Sequence, residues 1–123
     1  MRKILFTVLL VVVVSIIPLF AGGSKEDSVK VGFIGPMTGD HSNYGDLISK
    51  GALLAIEEKN AQGGIAGKFK IDLVVEDSEG DPQKGLAGIE KLSSSDKIVT
   101  LIGPVFTGVA FAVGERVQDE GIL

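Results

Sequence analysis

Along the chain, apolar positions alternate between two spacings: a short dense run, then a helical stripe, repeated three times. The first dense run, Val29 to Gly35, is rich in β-formers and ends in the turn signals Gly35-Pro36 and Thr38-Gly39, which predicts a strand over 29–35. Ile48, Ala52, Ala55 and Ile56 then recur at helical spacing, flanked by Leu47, Gly51 and Leu54, with Glu57, Glu58 and Lys59 on the far side. This predicts an amphipathic helix over 44–61. Gly63-Gly64 suits the left-handed geometry that closes a helix, and Lys70 to Val75 reads as a second strand. Asp81-Pro82 opens a second helix with an acidic cap and a proline where no N–H is missed, and Leu86, Ile89 and Leu92 carry it to Ser93. Ile98 to Ile102 forms a third strand closed by Gly103-Pro104. Val109, Ala112, Val113 and Val117 stripe a third helix over 108–119, Gly121 is placed to cap it, and Ile122-Leu123 to begin a fourth strand.

Strands apolar on both faces, separated by helices, predict an α/β fold: a parallel sheet with helices on both faces. Right-handed crossovers gather the carboxyl ends of all strands on one edge. Three connections then meet there, Gly35 to Asn43, Asp77 to Asp81 and Gly103 to Thr107. In open α/β sheets ligands bind at that edge.

Ahead of this pattern, Met1-Arg2-Lys3 supplies a positive start, and Ile4 to Phe20 an apolar run broken only by Thr7, Ser15 and Pro18. Ala21-Gly22-Gly23 supplies small residues for cleavage after Gly23. The expected organisation is a signal peptide over 1–23, a flexible leader over 24–28 and a folded part over 29–123. An uncleaved anchor is the rival reading, since the run can just cross a bilayer core of about 30 Å. The location is therefore periplasmic or extracellular, with membrane anchoring if the signal stays.

Composition narrows the function. The chain of 123 residues, less its signal peptide, leaves one small domain. Loss of Arg2 and Lys3 with the signal peptide leaves ten basic against 16 acidic side chains, a net charge of −6 that argues against a nucleic-acid partner. The absence of cysteine excludes a disulfide framework, a thiolate metal site, a cysteine nucleophile and lipidation at the signal boundary. His41 is the only histidine, which argues against a histidine-rich metal site or a histidine-dependent triad. Dinucleotide, Walker A, serine-elbow and zinc-protease motifs are all missing.

Thr107 is the leading candidate at the expected edge. A hydroxyl at the start of the third helix, with the free N–H groups and dipole of the helix terminus, can hold a carboxylate or phosphate without a basic residue. The alternative is that Thr107 simply caps its own helix. Tyr44, the single tyrosine, stands beside Gly45 at the start of the first helix, as a pocket wall or a half-buried wedge. Asp77 and Asp81 bracket the second connection. They could act as acid and base or hold a cation, against the simpler roles of bracing a turn and capping a helix. His41 is expected to be exposed, with a ligand contact as the alternative, and Ser93-Ser94-Ser95 reads as a solvated connector.

Five groups of residues, in order and at the right spacing, resemble the type I periplasmic solute-binding proteins of the branched-chain amino acid ABC transporter class. They are Ile34 to Gly39; Tyr44-Gly45 leading to Gly51-Ala52; Asn60 to Gly67; Glu76-Asp77 through Asp81-Pro82; and Ile102-Gly103-Pro104 before Thr107. The resemblance covers residues 29–123 and implies a two-lobed clamshell that closes on an amino acid and delivers it to a membrane permease of an ABC transporter. It implies a non-enzymatic protein with no cofactor and no metal. By position, Thr107 resembles the hydroxyl that binds the ligand carboxylate, with the Val105 backbone nearby and Tyr44 as an aromatic wall. Complete members of the family are several times longer, so the chain is expected to be a partial N-terminal lobe with uncovered apolar helix faces. Two rival functions are an extracellular ligand-sensing domain of a signalling receptor with the same fold, and a small secreted enzyme using Asp77 and Asp81.

Overall fold

A computed structural model describes residues 28–123; the expected signal peptide, its cleavage site and residues 24–27 of the leader lie outside the described residues. The first strand, β1 (Ser28–Gly35), is followed by helix α1 (Ser42–Ala61), strand β2 (Lys70–Asp77), helix α2 (Pro82–Lys91), a π-helical turn (Leu92–Asp96), strand β3 (Thr100–Ile102) and helix α3 (Thr107–Asp119). The sheet order is β2-β1-β3 and both pairings are parallel. The expected α/β class therefore holds, with every expected strand and helix present except the fourth strand.

The two faces of the sheet separate by residue parity, because successive side chains on a strand point to opposite sides and paired positions share a face. Ile34 of β1, with Val74 and Leu101 from its neighbours, packs on Ile89, Leu92, Val109 and Val113 of α2, the turn and α3. Val31 and Phe33 alternate with them and are buried on the other face, which α1 covers by packing on β1 and β2. A right-handed crossover leftward to β2 and another rightward to β3 put the helices on opposite faces, as the topology requires.

Four sequence expectations are corrected. The inward face of α1 is Ser42, Gly45, Ser49, Ala52, Ile56 and Asn60, while Ile48 and Ala55 are exposed. Small residues win that face because the helix lies close to the sheet: a β-carbon at Gly45 would sit 2.3 Å from the Pro36 carbonyl oxygen. The second helix ends at Lys91, and Ser93 to Ser95 is part of the π-helical turn rather than an irregular connector; Ser93 is buried, Ser94 and Ser95 are solvated as expected, and Ser94 bonds to the Glu90 carbonyl at 2.5 Å. The third strand starts at Thr100, because Lys97 in left-handed geometry and the bond from the Ile98 amide to the Leu92 carbonyl hold Ile98 to the turn. Finally, Ile122-Leu123 forms no strand of its own. The Leu123 amide donates to Val99 and its carbonyl accepts from Leu101, the bond pattern that begins a parallel pairing along the free side of β3.

The hinge-like corners match the sequence. Gly63 and Gly64 end α1 at φ of 101° and 77°. The Asn60 side chain then imitates a strand, accepting from the Ile71 amide and donating to the Ile71 carbonyl, each at 2.8 Å, and so ties α1 to β2. Large apolar side chains remain on the surface: Leu47 is 68% exposed, Leu54 57% and Phe111 82%. That agrees with the expectation of uncovered apolar helix faces. No described helix is long and apolar enough to cross a membrane.

Candidate ligand-binding site

Gly35 lies level with Asp77, and Phe33 level with Ile102, so β1, β2 and β3 end on one side of the sheet. Their three outgoing connections meet at this rim, as the crossover argument requires. Asp77 is the knot between two of them. Its carboxylate accepts from the Met37 amide at 2.8 Å, the Thr38 amide at 3.3 Å, the Thr38 hydroxyl at 2.5 Å and the Glu79 amide at 2.8 Å. Partial burial alone would raise its pKa, but the bonds from the Thr38 hydroxyl and from the Glu79, Met37 and Thr38 amides outweigh it and hold the carboxyl below its ordinary value. The Ser78 amide adds a bond to the Gly35 carbonyl at 2.8 Å.

Asp81 accepts from the Gln83 amide at 2.8 Å and the Lys84 amide at 2.9 Å, with Pro82 at the first helical position. Both carboxylates are thus engaged with backbone in the roles of brace and cap. Among the described residues, no group of three or more His, Cys, Asp or Glu side chains is placed to hold a metal ion.

Thr107 is the first residue of α3 and is exposed, and Phe106 occupies the capping position. Phe106 has no polar side chain to cap this helix, and Thr107 stands one residue inside it, past the capping position. The reading of Thr107 as its own helix cap is therefore set aside. Val105 is half-buried, and its side chain lies toward the end of β1, 3.5 Å from where a β-carbon on Gly35 would stand. Tyr44 is in the first turn of α1 and 51% exposed.

Tyr44 and the Thr107 turn are joined by a residue that the sequence reading missed. The Phe106 ring sits 6.2 Å from Tyr44 and 5.2 Å from His41, both edge-on, and His41 is 6.3 Å from Tyr44. These separations fall in the range of favourable aromatic pairs. The signal was present: Phe106 is the only aromatic residue in the connection from Gly103 to Thr107, next to the candidate hydroxyl. His41 is exposed as expected, within this ring cluster.

The arrangement offers, side by side, an uncapped helix start with a free hydroxyl and an aromatic shelf. The first suits a carboxylate and the second an apolar body. A cavity of about 230 Å³ lined by Ser93, Lys97, Ile98, Glu120 and Ile122 lies at the opposite edge of the sheet, away from these groups.

An open parallel α/β lobe with its loops and helix starts gathered at the carboxyl edge belongs to the class that binds small molecules at that edge. Within that class, this chain belongs to the periplasmic binding protein family, in its type I branched-chain amino acid branch: the family model described as "Periplasmic binding protein" matches residues 28–123. A Leu/Ile/Val-binding protein of Rhizobium johnstonii is 37% identical over 95 residues, covering 77% of this chain and 25% of the relative. The crystal structure of a branched-chain amino acid transporter substrate binding protein from Streptococcus pneumoniae, in complex with isoleucine, superposes with a TM-score of 0.74 at 30% identity. It covers 78% of this chain and 27% of that one. A solute binding protein of an ABC transporter from R. palustris, in complex with benzoate, gives 0.66 at 33% identity, covering 77% and 26%. The chain spans about a quarter of the length of these relatives.

Proposed function

We propose that this chain is the ligand-capturing part of an extracytoplasmic solute-binding protein that takes up branched-chain or related amino acids for an ABC transporter. The observation that carries the proposal is the free Thr107 hydroxyl at an uncapped helix start, on the rim where all three strand ends meet. In this reading the Thr107 hydroxyl and the amides that open α3 receive the ligand carboxylate, the Val105 backbone lies beside it, and Tyr44 walls the apolar side chain. The relatives named for leucine, isoleucine and valine, and the neighbour holding isoleucine, support that ligand class. The neighbour holding benzoate widens it to other small carboxylates with an apolar body.

The protein works by binding, without turnover, and its partner is a membrane permease. Export by the N-terminal segment puts it in the periplasm or outside the cell. Half of a two-walled pocket leaves the ligand partly solvated, so affinity at this rim alone is weak. Isothermal titration of the chain with L-leucine, L-isoleucine and benzoate tests the proposal. Saturable binding of L-leucine or L-isoleucine at millimolar or lower concentration is expected; no binding of any of the three refutes it.

A further inference from the structure

Three connections from three different strands form the rim, and one side chain touches all of them. Phe106 belongs to the connection after β3. Its ring packs against the core of the lobe. It also covers Gly80 in the connection after β2, where a β-carbon would stand 3.1 Å from two ring carbons. Its outer edge meets His41 and Tyr44, which follow β1. We propose that Phe106 is a positioning residue that keys the three connections together and holds the Tyr44 ring in its place on the rim.

The physical argument is one of shape and rigidity. Tyr44 is half exposed and sits in the first turn of a helix that buries only Gly45, so little else fixes its ring. An edge-on contact with Phe106 and a tilted one with His41 favour one placement of that ring. The Asp77 bonds tie the first two connections to each other but do not reach the third, which Val105 joins to Gly35 alone and Phe106 joins to both. A leucine at 106 can still fill the core side, but it has no aromatic ring to pair with Tyr44 and no ring edge to lie against Gly80. Phenylalanine at that position therefore sets the rim geometry, which on the solute-binding reading above also sets ligand affinity.

Because the chain has one tyrosine and no tryptophan, its near-ultraviolet tyrosine circular dichroism reports Tyr44 alone. The test compares the wild-type chain with Phe106→Leu, Phe106→Tyr and Tyr44→Phe. The last of these assigns the band. Phe106→Leu is expected to lose at least half of the tyrosine band while the far-ultraviolet spectrum is retained, and Phe106→Tyr, after subtraction of its own added chromophore with a Tyr44→Phe/Phe106→Tyr control, is expected to keep it. L-leucine affinity should fall about tenfold in Phe106→Leu and be restored in Phe106→Tyr. An unchanged tyrosine band in a folded Phe106→Leu chain overturns the proposal. If Phe106→Leu does not fold, ring-to-ring nuclear Overhauser contacts in the wild type decide: contacts from Phe106 to both Tyr44 and His41 support the key, and their absence overturns it. A wild-type chain that binds no L-leucine refutes the solute-binding reading, and the tyrosine band then decides the Phe106 proposal by itself.

Discussion

Gly45 and Gly51 lie in the same helix, yet alanine at the two positions should act with opposite sign. At Gly45 a β-carbon would stand 2.3 Å from the Pro36 carbonyl oxygen, 2.7 Å from its carbon and 3.0 Å from the Met37 sulfur. The first two are backbone and cannot rotate away, so α1 must retreat by about 1 Å to restore ordinary contact. Overpacking of this kind costs about 1–3 kcal/mol, against which alanine returns up to about 1 kcal/mol of helix propensity. The net expectation for Gly45→Ala is a loss of about 1–2 kcal/mol. At Gly51 nothing lies within 4 Å of the added carbon. Only the propensity term remains there, so Gly51→Ala should gain about 0.5–1 kcal/mol. Urea unfolding of both variants, followed by far-ultraviolet circular dichroism, measures the pair against the wild type. A neutral Gly45→Ala would refute the close approach of α1 to the rim connection, and a destabilising Gly51→Ala would refute the open space around Gly51. The outcome bears on function because the same contact seats the first turn of α1, and Tyr44 with it, beside the strand ends.

Two further variants probe the rest of the rim. Asp77 has a folded pKa below its unfolded value near 3.8, so its contribution is complete above that value and is lost as the pH falls through the lower folded one. Asp77→Asn should destabilise the chain by about 1–2 kcal/mol at neutral pH and flatten this acid limb, read from thermal midpoints between neutral and strongly acid pH; an unchanged limb would contradict the brace. Asp81→Ala removes the acceptor for two amides at the start of α2 and should cost about 1 kcal/mol in the same urea assay, whereas no loss would contradict the cap.

The elements were legible because each carried a local signal: the β-formers of Val29 to Gly35, the Asp81-Pro82 start, the glycine pair after α1. The meeting of three connections at one rim followed from the parallel arrangement of the strands alone. What the sequence hid was whatever depends on distance between segments. Ile48 and Ala55 sit at helical spacing with Ala52 and Ile56, but the tight approach at Gly45 turns the small face inward and leaves the larger side chains outside. The serine run looked like a connector because no local pattern marks a π-helical turn, which is held here by bonds back to Glu90 and Leu92. Within the site, Thr107 and Tyr44 could be named from their places after strands at the starts of helices, and the resemblance added Val105. Phe106 could not be given a role until His41, Tyr44 and Gly80, distant in sequence, were seen around its ring.

The central claim is that a small carboxylate ligand is held at the start of α3 by the Thr107 hydroxyl. Amide chemical-shift mapping of the chain during titration with L-isoleucine tests it directly and tolerates weak binding. The account predicts saturable shifts at Tyr44 and from Gly103 to Val109, reduced about tenfold or more in apparent affinity by Thr107→Val, with unfolding stability preserved because that hydroxyl caps nothing. Shifts confined to another surface, or equal affinity in the valine variant, would contradict it.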